Sequence, residues 1–358
     1  MDETGTSQAA ESTPATPEER LFGPRRERSD RFIDWGIRFA VVAIIVVGAY
    51  LGWSYYSDTH LAATQSPAAR AVANLTNIVQ KSPNNALALV RLGEALIAND
   101  QQTEAIAQLE AAIKIEKDNS QALTDLGLIA MDRREWKTAE GYWMRVIDVI
   151  GSAEMASKDQ RLADTYYYLG TTLIEEKRNE EAVADLKKSL QIKRDSSPVH
   201  YMLSVAYQRL GLAQKQREEL QVVLAFDPNE AQANYDLGVL TLKSDPAEAA
   251  ELFRIAADKA PAEVVLPEQA LAKLGDAAKH LSTATALQSS YPKKALTEAR
   301  IAAAIDPKNV EAVRLAAVLW EARKDPKRAM NAWERVAELV PGDARAAAAI
   351  KRLSAHVK

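Results

Sequence analysis

Residues 86–112 read ALALVRLGEALIANDQQTEAIAQLEAA. Leu89, Leu92 and Leu96 recur at three- and four-residue spacing, so they share one face of a helix. Asn99-Asp100 supplies a tight turn. Ala105, Leu109 and Ala112 then carry a second stripe. Neither Gly93 nor Ala105 has bulk, which lets the second helix approach closely at that point. The stretch predicts a helical hairpin, with helix A over about 84–98 and helix B over about 102–115.

The hairpin repeats. Leu92-Gly93 returns as Leu126-Gly127, Leu169-Gly170, Leu203-Ser204, Leu237-Gly238 and Leu274-Gly275, much of it on a 34-residue beat. A small residue follows at Ala105, Ala139 and Ala182, and Pro228, Pro261, Pro307 and Pro341 close later units. One such unit cannot bury its apolar face alone, so the units must stack.

Leu-Gly on the first helix, then Ala, a large apolar residue and Ala on the second, resembles the tetratricopeptide repeat family. Unit two carries Leu126-Gly127, Ala130, Trp136, Ala139, Trp143 and Val146. Unit three has Leu169-Gly170, Leu173, Ala182 and Leu186, and unit seven has Ala317, Trp320, Ala329, Trp333, Val336 and Pro341. The resemblance covers about residues 67–341. A half-unit leads in with Ala71, Leu75, Ile78 and Pro83, and a last helix over 343–356 caps the stack. It implies an all-α, right-handed superhelical solenoid of about seven hairpins.

The pattern is uneven. About nine residues are inserted around Gly151–Lys158. Gln216 stands where unit four needs a small residue, which predicts a splayed or rotated hairpin. Unit five is one residue short at Ser244-Asp245-Pro246. Unit six places about eight extra residues between its helices, around Thr283–Tyr291.

Upstream the chain changes character. Residues 1–33 are rich in Thr, Ser, Pro, Glu and Arg and read as a disordered tail. Within residues 34–56, the stretch from Trp35 to Tyr56 reads WGIRFAVVAIIVVGAYLGWSYY, and Arg38 is the one charge in that stretch. That length suits a helix spanning about 30 Å of hydrocarbon. Trp35, Trp53, Tyr55 and Tyr56 sit where an aromatic belt forms. Arg20, Arg25, Arg26, Arg28 and Arg31 precede the span, so the positive-inside rule puts the N-terminus in the cytoplasm and the repeats outside it. A cleavable signal peptide is the alternative, with a poor site near His60-Leu61-Ala62-Ala63; an uncleaved signal anchor fits better. Residues 57–66 form a polar linker, and 67–358 the solenoid. The compact Ala-rich repeats point to a bacterial cytoplasmic membrane.

The fifth position of helix A in units three to five holds Tyr167, Tyr201 and Tyr235. In the resembled family this position lines the concave face. Thr171, Val205 and Val239 follow four residues on, and Gln208, Arg209, Leu242 and Lys243 extend the strip. Tyrosines anchor many interfaces, which predicts a groove for a peptide or protein partner. The same tyrosines equally suit packing between adjacent first helices. The Lys and Asn pair with which some members of the family hold a C-terminal carboxylate is missing: Val90, Glu94, Thr124 and Leu128 occupy those places.

Net charge is −4, with no basic block in the repeats, so nucleic acid is not an expected partner. Cysteine is absent. His60, His200, His280 and His356 have no trustworthy ligand spacing. Asp276, Lys279 and His280 share a helix face that reads as solvated. No phosphate loop or nucleophile motif occurs. The expectation is a scaffold or adaptor that is not an enzyme, with no cofactor, metal or small-molecule substrate. Its layout resembles bitopic, translocon-associated repeat proteins. Two alternatives remain: a regulator coupling an external repeat domain to the basic tail, and a docking subunit of an envelope enzyme complex.

Overall fold

A computed structural model describes residues 47–51, 66–152 and 158–356. The expected tail over 1–33 lies outside these residues. So do the expected span over 34–56, except for 47–51, and the linker over 57–66, except for Ser66. Residues 47–51 are helical. Among the described residues no helix is long and apolar enough to cross a membrane.

From Pro67 onward the described residues are helices joined by short turns, with no strand among them. Helix α1 (Pro67–Lys81) leads. Five hairpins follow: α2 (Ala86–Ala98) with α3 (Gln102–Ile115), α4 (Ser120–Asp132) with α5 (Trp136–Gly151), α6 (Gln160–Glu175) with α7 (Asn179–Ile192), α8 (Ser197–Arg209) with α9 (Ala213–Phe226), and α10 (Ala231–Thr241) with α11 (Pro246–Lys259). A short helix α12 (Leu266–Leu274) interrupts them. Then come α13 (Ala277–Leu287) with α14 (Pro292–Ile305), α15 (Val310–Ala322) with α16 (Pro326–Leu339), and a closing α17 (Ala344–Leu353).

Polar residues start the first helices. Asn85, Asn119 and Asn309 each accept the backbone N–H three residues on, at 3.1, 3.0 and 3.1 Å. Each such cap satisfies a donor that the helix leaves open and contributes about 1 kcal/mol. The following apolar stripe then faces the partner helix. Ala105, Ala139, Ala182, Ala249, Ala295 and Ala329 are all fully buried on second helices. Leu109, Trp143, Leu186, Leu220 and Phe253 fill the next turn at 0–1% exposure. Burying each contributes roughly 1.5–3 kcal/mol.

The glycine meets a different partner from the one expected. A Cβ on Gly93 would lie 2.7 Å from Leu109, one turn beyond Ala105. One on Gly127 would lie 2.7–2.9 Å from three atoms of the Trp143 ring, and those on Gly170 and Gly238 would strike Leu186 and Phe253 at 2.6 Å. The small residue makes room for the large side chain of the second helix.

The turns explain the one-residue shortfall of unit five. Asp100, Arg134, Lys177, Gly211 and Lys324 close five of the hairpins with φ between 59° and 72°. The turns at Asp245 and Tyr291 lack such a residue, and α11 and α14 begin directly on Pro246 and Pro292.

Three departures resolve differently from expectation. The extra residues near 151–158 partly lengthen the flanking helices: α5 and α6 each have 16 residues, against 13 and 14 in α2 and α3. Gln216 does not splay unit four. It is buried at 4% exposure, and α8 and α9 pair as closely as other hairpins. Unit six begins later than expected. Leu274-Gly275 does not sit inside a first helix: Gly275, at φ 117°, ends α12. The first helix is α13, where fully buried Ala284 takes the glycine's role eleven residues before Ala295. The extra residues form α12, ahead of the hairpin.

The ends differ too. In α1, Val72, Leu75 and Val79 pack on the core, while Ile78 faces out at 49% exposure. At the other end α17 buries Ala346, Ala349 and Leu353, leaving Lys351 and Arg352 exposed.

Candidate binding surfaces

The ten residues of the expected groove lie on consecutive first helices and their turns, but they do not act alike. Tyr201 spans a repeat boundary: its hydroxyl donates to Asp236 Oδ2 at 3.1 Å. Burial, then the Asp236 charge, pushes its phenol up. Burial likewise raises the Asp236 carboxyl, against hydrogen bonds from Gln232 and Tyr201. Tyr235 packs on Phe253, ring centroids 5.7 Å apart, and Tyr167 leans on Tyr168 at 5.3 Å. Arg209 bridges back to α6, pairing with Glu175 at 2.8 Å and donating to the Ile174 carbonyl. Thr171 donates to Tyr167 O at 2.9 Å within its own helix, and Val205 is half-buried.

Tyr201 and Arg209 hold neighbouring repeats in register, while Tyr167, Thr171 and Tyr235 pack or bond within their own hairpins. Gln208, Val239, Leu242 and Lys243 stand open to solvent on the strip, beside the partly exposed but ion-paired Arg209. Val239 is 48% and Leu242 40% exposed.

A second polar network ties α5 to α7. Arg178 reaches Glu140, Glu176 and Glu181, and Lys137 pairs with Glu140. Burial pushes the Glu140 carboxyl up, but hydrogen bonds from Lys137 and Arg178 outweigh it and hold the group below its ordinary value. His280 is likewise a tie, and the expected solvated face is only partly so. Its Nδ1 lies 2.6 Å from Glu298 Oε2, and its Nε2 lies 2.9 Å from the Leu274 carbonyl. The ring thus ties α13 to both α14 and the end of α12. Asp276 caps α13 through Ala278 N at 2.8 Å. Among the described residues no group of three His, Cys, Asp or Glu is placed to hold a metal ion.

A feature the sequence reading missed lies further along. A cavity of about 520 Å³ opens between α11, α14, α15 and α16, lined by Glu251, Arg254, Arg300, Trp320, Arg328 and Arg335 among others. Trp320 is buried at 7% exposure, and three guanidiniums surround its ring: Arg328 at 4.8 Å, Arg300 at 5.4 Å and Arg323 at 5.7 Å from the centroid. Arg300 is held by Glu251 at 2.7 and 2.8 Å. Trp320 read as one more core aromatic, and arginines drawn from two helices and a turn give no local motif.

Residues 64–126 and 163–196 match the tetratricopeptide repeat family. Tetratricopeptide repeats are thus found over those two stretches. No curated protein matches it in sequence. Among solved structures it is similar to YrrB, described as a TPR protein with an unusual peptide-binding site, at 18% identity and TM-score 0.45, over 55% of this chain and 96% of that one. It is also similar to pilF of Pseudomonas aeruginosa, at 16% identity and TM-score 0.43, over 76% and 97%. A third is the C-terminal part of a TPR repeat-containing protein from Cytophaga hutchinsonii, at 16% identity and TM-score 0.44, over 79% and 94%.

Proposed function

We propose that this chain is a non-catalytic scaffold, anchored in a membrane by residues 34–56, whose tetratricopeptide repeats hold a protein or peptide partner on the outer side. One observation carries the binding site. Val239 and Leu242 stand exposed on the strip beside Gln208 and Lys243, while Tyr201, Arg209 and Tyr235 lock the backbone beneath them. A rigid base with protruding apolar side chains binds at low entropic cost. The tyrosines serve as struts, and the recognition surface is the exposed edge next to them.

Anchoring rests on the uncharged run in 39–53, the arginines before it and the exposure of Val47, Tyr50 and Leu51. A photo-crosslinking residue at Val239 or Lys243 in intact membranes should capture one and the same protein, and one at Glu180 should not. Equal capture from all three positions refutes the strip. Reporter fusions after residue 358 test the topology separately, and activity only from a cytoplasmic reporter refutes the outer placement.

A further inference from the structure

We propose that the cavity beside Trp320 is a second docking site, for an acidic peptide segment of a partner protein in which carboxylates alternate with apolar residues. Around the cavity and its rim, basic side chains outnumber acidic ones six to three, although the chain as a whole carries −4. The three acids are Asp245, Glu248 and Glu251, and two of them are committed. Glu251 is clasped by Arg300, and Asp245 Oδ1 accepts the N–H groups of Ala247 and Glu248 at 3.1 and 2.9 Å. Among the bases, Arg254 pairs with Asp258, and Arg335 with Glu338.

That leaves Lys293, Arg323 and Arg328 at the rim. Lys293 and Arg323 have no ion-pair partner among the described residues, and Arg328 approaches Asp325 only at 3.7 Å. The indole face holds guanidiniums in place without neutralising them. They are therefore set in position for a carboxylate before it arrives, which is where a charge-assisted hydrogen bond gains most.

The walls decide between anions. Ile255, Ala303, Val313 and Ala316 offer apolar contact between the charges, which a polyphosphate chain cannot use. Spaced acids with apolar residues between them match that alternation. The volume lies in the range of ordinary ligand pockets.

The test uses the full-length chain and an acetylated, amidated peptide of sequence Asp-Leu-Glu-Leu-Asp, followed by calorimetry and tryptophan fluorescence at low salt. The peptide is expected to bind. Arg323→Gln and Arg328→Gln should each weaken binding roughly tenfold. Both arginines are exposed, so melting should not change. The peptide with Asn and Gln replacing its acids should not bind. Absence of binding at millimolar peptide overturns the proposal, as do equal binding of the neutral peptide or equal binding by both variants. Tighter binding of inorganic phosphate than of the peptide, or displacement of the peptide by anionic phospholipid vesicles, also overturns it.

Discussion

Replacing Asp125 by asparagine should stabilise the repeat stack at neutral pH and leave it nearly unchanged in acid. Asp125 sits on α4 at 8% exposure. Its Oδ1 accepts from Gln121 Nε2 at 3.1 Å, while its Oδ2 is buried without a partner. Burial, and next the charge of Glu94, push the carboxyl from 3.8 up to about 6, against the Gln121 hydrogen bond. The folded value thus lies above the unfolded one. Below 3.8 the group is neutral in both states and costs nothing. As pH rises from 3.8 to about 6, the unfolded chain ionises first, and stability is lost across that window. At 1.36 kcal/mol per pH step the loss is at most about 3 kcal/mol, and solvent near exposed Glu94 reduces it to about 1–2 kcal/mol. The amide keeps the oxygen that Gln121 bonds and never ionises. Urea unfolding followed by circular dichroism, from about pH 4 to about pH 7, should show Asp125→Asn gaining on the wild type by that amount. A difference that stays flat with pH, or that falls as pH rises, refutes the reasoning.

Gly127→Ala should destabilise by about 1–3 kcal/mol, because the rigid Trp143 ring cannot retreat from a Cβ at 2.7 Å. Gly141→Ala, in α5 with open space around it, should instead raise the melting midpoint by about 0.5–1 kcal/mol of stability. Lys177→Gly should also stabilise by about 0.5–1 kcal/mol in the same melts, since φ 64° strains a residue with a side chain. His280→Ala should cost about 1–2 kcal/mol, read locally as faster amide exchange across 266–274, because it frees Leu274 O and Glu298 together.

The sequence displayed the hairpins because the same few residues recur wherever two helices must touch. Ala105 and its counterparts are buried at the positions the beat assigns. The details it hid come from outside any one unit. Arg134, Lys177 and Lys324 adopt a left-handed turn that their side chains do not favour, at the point where each hairpin closes. The tyrosines share a position and yet have different partners. Asp236 in the next repeat, Phe253 in the same hairpin and Tyr168 beside it decide what each ring does.

The misread sixth unit and the missed cavity have one origin. At regular seams a second helix packs on the first helix of the next hairpin, as α3 does on α4 and α7 on α8. Between Pro261 and Asp276 the chain spends its extra residues on α12. That helix packs on α11, where the next first helix would otherwise lie, and α11 packs directly against α14, a second helix. Two second helices so joined bring Glu251 of α11 onto Arg300 of α14, an ion pair between residues 49 apart. Arg300 in turn reaches the Trp320 ring of α15, with Arg328 of α16 against the same indole. A strict 34-residue beat would have continued the regular seam and kept α11 and α14 apart. The irregularity that disturbs the repeat therefore also assembles a charged cavity from residues that an even repeat would not bring together.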